Sequence, residues 1–394
     1  MASIALTGIE QLVTCDPDIG RGPLGIIDNA TLVADEGRVV YAGPRHGAPS
    51  GVEMDVELQG HCVVPGYVDS HTHPVFAGDR AGEFARRMAG QPYAPGGILE
   101  TVSATRAATR SSLEAHVSRL AREAMTFGTT TLEAKSGYGL SPEHEAAHLQ
   151  VARTVTDEVT FLGAHLVPAE YEHDRAGYLE LLTAVMLPAA TGTARWCDVF
   201  CEEGAFDVDE SRQILKAAEA NGLGLRVHAN QLSAGGGVAL ACELEAASAD
   251  HCTHLTRADV DALATSGTVA TLLPISDFCT RQPYADGRAL IDAGATVALA
   301  SNCNPGSSYS LSMPLAMALA VRECGLSVGE ALWSATAGGA QALRRADIGR
   351  LSPGCRADAL VVGAPSHEHL VYRLGSNLVS AVLKDGKWAR GHVV

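Results

Sequence analysis

The stretch Asp69-Ser-His71-Thr-His73-Pro-Val-Phe-Ala-Gly-Asp-Arg80 follows directly on the apolar run Val63-Val-Pro-Gly-Tyr-Val68. Side chains two residues apart in an extended strand point to the same face, so His71 and His73 can converge on one ion at the end of a strand. Neutral imidazoles suit a catalytic metal site that keeps a position for water. Two histidines at this spacing also occur by chance, and the pair by itself leaves a metal site and ordinary polar surface equally open.

Seven further short apolar runs follow this one, with helical patterns between them. The eight runs cover 63–70, 129–135, 159–164, 197–201, 223–227, 247–249, 268–273 and 296–300. The helical patterns include 112–127, 142–156, 208–221, 237–244, 257–266 and 286–293. Strands that alternate with helices pair in parallel through right-handed crossovers. Eight such units predict an α/β fold with a closed (β/α)8 TIM barrel, whose active site lies at the C-terminal ends of the strands.

Polar residues lie at or just after the C-terminal ends of the predicted strands. They are His71, His73, Glu133, Lys135, Tyr138, His165, Glu202, His228, Asn230, Gln231, Asp250, His251, Asn302 and Asn304. A single histidine after a strand is more often an ordinary loop or core residue than a ligand. Histidines after four strands of one barrel are much harder to explain in that way, and they favour a metal-dependent active site.

The two ends of the chain have a different pattern from the barrel. Residues 1–62 and the segment from 351 onwards alternate apolar and polar residues between Gly and Pro turns. This alternation predicts β-hairpins. The simplest arrangement pairs 1–62 with 351–394 in one small β-sandwich domain, which leaves 63–350 as the barrel.

Composition and charge limit the partners of the chain. The 394 residues are 46% hydrophobic and only 19% charged, so the chain can bury a substantial core. A net charge of −16 disfavours nucleic acid as a partner, although one buried arginine can still bind a small anion. We expect no membrane partner, because no apolar run is long enough to span a bilayer and no secretory pattern opens the chain. The ten scattered cysteines favour reduced thiols in a cytoplasmic enzyme.

Seven segments along nearly the whole chain carry a resemblance to a known family. Besides 69–80 they are Gly96-Gly-Ile-Leu-Glu-Thr-Val102, Glu133-Ala-Lys-Ser-Gly-Tyr-Gly-Leu140, Phe161-Leu-Gly-Ala-His-Leu-Val167, Asp198-Val-Phe-Cys-Glu202, Ser248-Ala-Asp-His251 and Asn304-Pro-Gly-Ser307. In these segments the chain resembles the metal-dependent amidohydrolase superfamily and, within it, the imidazolonepropionase family. Lys-Ser-Gly-Tyr-Gly-Leu and Asn-Pro-Gly-Ser are the most specific motifs, because they separate this family from other amidohydrolases.

The resemblance implies a hydrolase that uses one divalent metal ion, zinc or iron. The family binds this ion with two first-strand histidines, a fifth-strand histidine and an eighth-strand aspartate, which correspond to His71, His73, His228 and position 302. Its members open the ring of 4-imidazolone-5-propanoate with water to give N-formimino-L-glutamate, in histidine degradation. The metal lowers the pKa of water, so that hydroxide is available at neutral pH. The implied assembly is a homodimer.

The resemblance also implies roles for residues around the predicted metal site. Arg80 pairs with the propionate group of the substrate through a bidentate contact. Tyr138 and His165 hold the ring, and His251 hydrogen-bonds the attacking water or the tetrahedral centre. The loop after the eighth strand lines the pocket with Asn304, Gly306 and Ser307.

Two residues depart from the family pattern. Asn302 stands where the metal-binding aspartate is expected, and Gln231 stands where many members have a glutamate three residues after His228. An amide is isosteric with a carboxylate but carries no charge, so it binds metal weakly and cannot act as a general base. We therefore place Asn302, Gln231 and His251 among the catalytic positions and expect weakened or absent activity.

Three explanations of Asn302 stay open: an engineered catalytic change, a natural variant with altered chemistry, or a relic that binds ligands without turnover. The intact surroundings of Asn302 favour the first, whereas Gln231 is more typical of a natural subgroup difference. The alternative functions are a related amidohydrolase that acts on another small anionic heterocycle and a non-catalytic binding protein.

Overall fold

The computed structural model describes residues 3–91 and 97–391. Gly96, the first residue of one family motif, lies outside the described residues. The structure consists of two compact units. One combines Met1–Asp69, Glu123–Thr131 and Ser312–Val394, and the other combines Ser70–Arg122 and Leu132–Leu311. The sequence-derived domain limits, 1–62 plus 351–394 and 63–350, stay a prediction.

Strands occur in both units and between the helices. They are β1 (Ile4–Val13), β2 (Ile26–Asp35), β3 (Arg38–Pro44), β4 (Met54–Glu57), β5 (Cys62–Pro65), β6 (Tyr67–Asp69), β7 (Thr129–Leu132), β8 (Ala134–Lys135), β9 (Val159–Ala164), β10 (Trp196–Cys201), β11 (Gly224–Ala229), β12 (Ser248–His251), β13 (Val269–Leu272), β14 (Val297–Leu299), β15 (Ala359–Val362), β16 (Val379–Lys384) and β17 (Lys387–Arg390).

Helices alternate with these strands along much of the chain. They are α1 (Ala81–Met88), α2 (Ile98–Ala107), α3 (Arg110–Thr126), α4 (Pro142–Arg153), α5 (Arg175–Leu181), α6 (Leu187–Ala190), α7 (Val208–Ala220), α8 (Gly237–Glu243), α9 (Arg257–Thr265), α10 (Pro274–Thr280), α11 (Gly287–Asp292), α12 (Met313–Glu323), α13 (Val328–Trp333), α14 (Gly339–Ala342) and α15 (His369–Tyr372). Capping boxes fix the starts of α7 and α9, at Asp207 with Glu210 and at Thr256 with Asp259. Within the described ranges, none of the helices has the length and apolar character needed to cross a bilayer.

A parallel sheet forms the centre of the second unit. Its strand order is β14-β13-β12-β11-β10-β9-β8, and helices connect most neighbouring strands. The strands β9 to β14 agree with the predicted apolar runs to within two residues. Nearly all of their residues are buried, which is typical of parallel strands covered on both faces.

The first and second predicted barrel strands are each interrupted. The run 63–70 divides into β5 and β6 at Pro65-Gly66, and the run 129–135 divides into β7 and β8. Proline has no N–H to donate to a sheet, so a break at Pro65 is expected on physical grounds. A side chain at Gly66 would also clash with Thr130. Strands β6 and β7 pair with each other in a two-stranded sheet.

The two ends of the chain meet in one sheet of the first unit. Its order is β17-β16-β15-β5-β1-β2-β3, with β4 paired to β1. Strand β15 pairs antiparallel with β5, so the predicted association of the terminal segments is confirmed. A continuous apolar cluster that includes Leu12, Leu32 and Val361 covers one face of this sheet. Each fully buried aliphatic side chain of this kind contributes about 1.5–3 kcal/mol to folding.

Candidate active site

One pocket of the second unit gathers ten of the twelve side chains predicted to form the site. It is lined by His73, Arg80, Ile98, Tyr138, His165, Phe200, His228, Gln231, His251, Asn302, Asn304 and Ser307. The two remaining predicted residues are close by, since His71 lies against His73 and Gly306 lies against Arg80. Their functional roles stay predictions, but the structure brings all twelve together.

Three imidazoles meet through their Nε2 atoms. His73 Nε2 lies 3.2 Å from His71 Nε2 and 3.3 Å from His228 Nε2. Two ligand atoms about 2.0–2.1 Å from a tetrahedral ion stand about 3.4 Å apart, so the observed spacing fits one ion. Burial lowers the pKa of His71 and of His73 well below the ordinary value, which keeps both imidazoles neutral. Neutral imidazole is the form that binds metal.

Carboxylates contact the outer nitrogens of two of these histidines. Asp250 Oδ2 lies 2.7 Å from His71 Nδ1, and Asp198 Oδ2 lies 2.9 Å from His228 Nδ1. His71 can donate its Nδ1 proton to Asp250 and so present the Nε2 lone pair on its other side, whereas the contact of His228 with Asp198 lacks hydrogen-bond geometry. Within the described part of the chain, His73 Nδ1 has no hydrogen-bond partner.

Asn302 lies at the same end of the sheet with an unusual backbone. Its φ of 53° is in the left-handed region, which asparagine tolerates better than most residues. Its N–H donates to the carbonyl of His71 at 3.0 Å, so the residue is fixed beside the first histidine. The side-chain oxygen is buried and has no hydrogen-bond partner among residues 3–91 and 97–391. A buried acceptor without a donor is costly, and a cation would satisfy it.

His251 is a further histidine of the pocket. Its φ of 81° is rare for a residue with a side chain, and it directs the imidazole toward the cluster at a cost of about 1–3 kcal/mol. The ring centroid lies 5.4 Å from that of His228 and 5.8 Å from that of His71. These three residues could themselves hold an ion, because their ligand atoms lie within 4.8 Å of one another. The shorter Nε2 distances of His73 favour the set predicted from sequence.

An aromatic wall stands beside the histidine cluster. Tyr138 and His165 have ring centroids 5.4 Å apart, and Phe200 lies 6.0 Å from His165. His165 Nδ1 is 3.0 Å from the carbonyl of Gly137, so the imidazole donates there and leaves Nε2 as an acceptor. Burial lowers the pKa of His165 to about 3, and this side chain is therefore neutral near pH 7.

Arg80 also lines the pocket, and it is the residue that precedes α1. Its guanidinium is buried and pairs with Glu83 at 2.5 Å, and Glu83 also pairs with Arg87 at 2.6 Å. A side chain at Gly97 or at Gly306 would clash with the Arg80 guanidinium. The two glycines therefore leave the space that this cation occupies.

Asn304 organises the loop that follows β14. Its side-chain oxygen accepts from the N–H groups of Gly306 and Ser307 at 2.9 and 2.8 Å. Its side-chain nitrogen donates to the carbonyl of Asn302 at 2.6 Å. The amide of Asn304 is thus engaged within the loop, and a role in substrate binding stays a prediction.

Comparison with known proteins identifies the family. Residues 62–389 match the Amidohydrolase family. The imidazolonepropionase of Streptomyces griseus subsp. griseus is 57% identical over 388 residues, which are 98% of this chain and 99% of that protein. The imidazolonepropionase of Mycolicibacterium smegmatis is 55% identical over 387 residues, which are 98% of each chain. This chain belongs to the imidazolonepropionase family of amidohydrolases.

Solved amidohydrolase-like structures share the fold. A triazine hydrolase variant superposes with a TM-score of 0.76 at 17% identity and covers 99% of this chain and 95% of its own. A guanine deaminase from C. acetobutylicum with bound guanine has a TM-score of 0.72 at 14% identity. The match covers 98% of this chain and 99% of the deaminase chain. These similarities confirm the predicted barrel-type α/β fold with an additional sheet from the two termini.

Family membership and the histidine–aspartate cluster together indicate a divalent metal ion at this site. The imidazolonepropionase fold also contains site residues to which sequence reasoning assigned no role. They are Ile98, Phe200, Glu83, Glu145, Asp198, Arg226 and Asp250. The sequence does contain one sign of such residues, which is a charged residue inside an otherwise apolar strand, such as Asp198 in β10. A buried ion requires a partner, so Asp198 indicates further charged residues nearby.

Proposed function

We propose that this chain hydrolyses 4-imidazolone-5-propanoate to N-formimino-L-glutamate in histidine degradation. The observation that carries the proposal is one pocket that combines a three-histidine cluster, an aromatic wall and a buried arginine. The identity of more than half with two imidazolonepropionases over nearly the full chain supports it. The bond that breaks is the amide C–N bond of the ring.

His71, His73 and His228 would hold the metal ion, and Asn302 would be a weak fourth ligand through its buried side-chain oxygen. When bound, a divalent ion lowers the pKa of water and polarises a carbonyl group. Zinc and iron both suit imidazole ligands, and we propose one of these two. Elemental analysis of protein purified without added metal distinguishes them.

Substrate orientation follows from the charges around Arg80. Arg80, Arg87 and Glu83 carry a formal charge of +1 together, in a chain whose net charge is −16. This local excess favours an anionic substrate, and a guanidinium binds a carboxylate with two parallel hydrogen bonds. Tyr138 and His165 would hold the flat ring on the other side of the pocket.

His251 is the proposed proton acceptor of the attacking water. The amides of Asn302 and Gln231 line the same pocket but cannot accept a proton near neutral pH. Burial lowers the pKa of His251 well below its ordinary value, so this imidazole is neutral and has a free lone pair at pH 7. The same residue can return the proton to the leaving ring nitrogen.

The test is direct assay of the metal-loaded protein. Incubation with 4-imidazolone-5-propanoate should decrease the ultraviolet absorbance of the substrate and produce N-formimino-L-glutamate. The variant His251→Ala should bind the substrate but turn it over far more slowly. If the metal-loaded protein neither binds nor converts this substrate, the proposal is wrong.

A second candidate function is ligand binding without turnover. The two neutral amides, Asn302 and Gln231, favour it because they remove both carboxylates expected near the water. Tight binding of the substrate with no product, even after Asn302→Asp, would support this alternative. Turnover of a different anionic heterocycle but not of imidazolonepropionate would indicate a related amidohydrolase instead.

The assembly and location of the enzyme are further proposals. We infer a homodimer, supported by the exposed side chains of Tyr372 and Leu374, which are 80% and 73% exposed. Light scattering at micromolar concentration should give twice the chain mass of 40.9 kDa. We also infer a cytoplasmic location, supported by ten scattered cysteines, which suit a reducing compartment.

A further inference from the structure

Five charged side chains lie in a fully buried cluster, which we call the charge cluster, on or beside strands β8, β10, β11 and β12, and β11 also carries His228. Its members are Glu133, Lys135, Asp198, Arg226 and Asp250. Lys135 Nζ lies 2.8 Å from Glu133 Oε1 and 2.9 Å from Asp198 Oδ2. Arg226 Nη2 lies 3.3 Å from Asp250 Oδ2 and donates to the carbonyl of Ser70 at 2.8 Å.

Sheet register explains why these side chains meet. Asp198 of β10 is opposite Arg226 of β11, and His228 of β11 is opposite Asp250 of β12. Alternate residues of a strand point to the same face, so Arg226 and His228 share one face of β11. The barrel-type sheet therefore places charges and metal-binding histidines in adjacent layers.

Opposite charges face each other within the cluster. Lys135 Nζ contacts the carboxylates of Glu133 and Asp198, and Arg226 contacts the carboxylate of Asp250. Burial alone would lower the pKa of Lys135, but Asp198 and Glu133 outweigh it and raise the pKa.

The formal charges of the cluster do not cancel. Three carboxylates and two cations leave a net charge of −1, in a region without solvent contact. A nearby cation would balance this excess, and the carboxylates of Asp250 and Asp198 reach Nδ1 of His71 and His228. Asn302, in contrast, adds no charge to the metal site. The negative charge that an aspartate at position 302 would give the metal is thus present instead on carboxylates that contact the histidines.

We propose that Asp250 and Asp198 are positioning residues that supply, through His71 and His228, the negative charge that Asn302 does not give the metal. The proposal rests on the proposed function only in the identity of the metal-binding histidines. Hydrogen bonds from ligand histidines to carboxylates raise the basicity of the imidazole, and their removal typically weakens metal binding about 10–100-fold.

The test measures Co²⁺ affinity of the full chain by competition with a chelator, and it records the visible Co²⁺ spectrum. Asp250→Asn keeps an oxygen that can accept from His71 Nδ1 but removes the charge. We expect its Co²⁺ dissociation constant to rise about 10–100-fold, with the spectrum little changed. The matched control is Asp277→Asn, since Asp277 is also buried but pairs with Thr253 and contacts no metal-binding histidine.

A second substitution distinguishes charge supply from a merely structural role. Adding Asn302→Asp to Asp250→Asn should restore most of the lost affinity, because the new carboxylate replaces the missing charge. The variant Arg226→Gln removes a cation from the cluster, and it should bind Co²⁺ more tightly. This opposite effect gives a test even where Asp250→Asn folds poorly.

Three results would overturn the proposal. They are unchanged Co²⁺ affinity in folded Asp250→Asn, no rescue by Asn302→Asp, and weaker binding by folded Arg226→Gln. None of these measurements uses imidazolonepropionate, so failure of the proposed function would be seen separately, as a lack of turnover by a chain that binds metal as expected.

Discussion

At the scale of single residues, Asn302 has the greatest effect on the expected chemistry. Asn302→Asp adds a carboxylate that can both bind the metal and accept a proton from water. We expect ring-opening turnover to rise by about 10²–10⁴-fold, the range typical of a general acid–base group. Steady-state kinetics of the two proteins measures this gain. The variant Asn302→Ala is the control for loss of the amide alone. Equal turnover with Asn and Asp would place the base elsewhere, and His251 would be the first residue to examine.

The proposed metal-binding histidines allow a simpler test at the same scale. His71→Ala should lose the stoichiometric metal, because it removes one Nε2 of the cluster and the partner of Asp250. Elemental analysis after dialysis measures the metal content. His173→Ala is the matched control, since His173 is exposed and distant in sequence from every predicted ligand. Full metal content in His71→Ala would contradict the assignment.

Arg80 is the residue that we propose binds the substrate carboxylate, by its charge and its shape together. Arg80→Lys keeps the charge but loses the planar fork that binds a carboxylate with two hydrogen bonds. We expect KM to rise at least tenfold while the metal content stays unchanged. Arg86→Lys on the exposed side of α1 should leave both quantities as they are. An unchanged KM in Arg80→Lys would show that the carboxylate binds elsewhere.

At the scale of elements, the start of α4 holds the loop that carries Tyr138. The buried carboxylate of Glu145 accepts from the N–H groups of Gly137, Gly139 and Leu140, at 3.1, 2.7 and 2.8 Å. Glu145→Gln turns one acceptor into a donor that faces these donors. The chain should lose about 1–3 kcal/mol of unfolding free energy, and KM should rise because the loop loosens.

Urea unfolding and substrate titration measure these two effects. Glu143→Gln is the control, because Glu143 lies in the same helical turn but is exposed. Equal stability of the two variants would mean that the loop is held by other contacts, such as those from Arg106 to the carbonyls of Gly139 and Leu140.

At the scale of the whole molecule, buried neutral histidines make the metal-free protein sensitive to acid. Burial lowers the folded-state pKa of His71, His73, His165 and His251, and that of His165 falls to about 3. An unfolded histidine has a pKa near 6.5, so the unfolded state binds more protons below that pH. Stability is therefore full above about pH 7.5 and decreases as pH falls through about 6.5.

Denaturant unfolding of metal-free protein between pH 8 and pH 5 measures this loss. Each such histidine contributes up to about 1.4 kcal/mol per pH unit within the window. Most aspartates and glutamates titrate below pH 5, but burial raises the pKa of Asp277 to about 7, so this one group opposes the loss within the window. Bound metal should delay the loss, because it binds only the neutral imidazoles. A flat dependence down to pH 5 would show that these histidines titrate in the folded protein as they do in the unfolded one.

The sequence by itself determined the parallel strands, the five histidines at the ends of four of them and the pairing of the terminal strands. These features depend on local periodicity and on residue type, which a single sequence displays directly. Only the tertiary structure decided that strand 63–70 divides at Pro65-Gly66, and that Asp250 and Asp198 contact His71 and His228. These contacts join residues up to 179 positions apart, and they depend on the register between β10, β11 and β12. Register is set by how the strands pack together in three dimensions, and no local pattern along the chain encodes which charges will meet across a sheet.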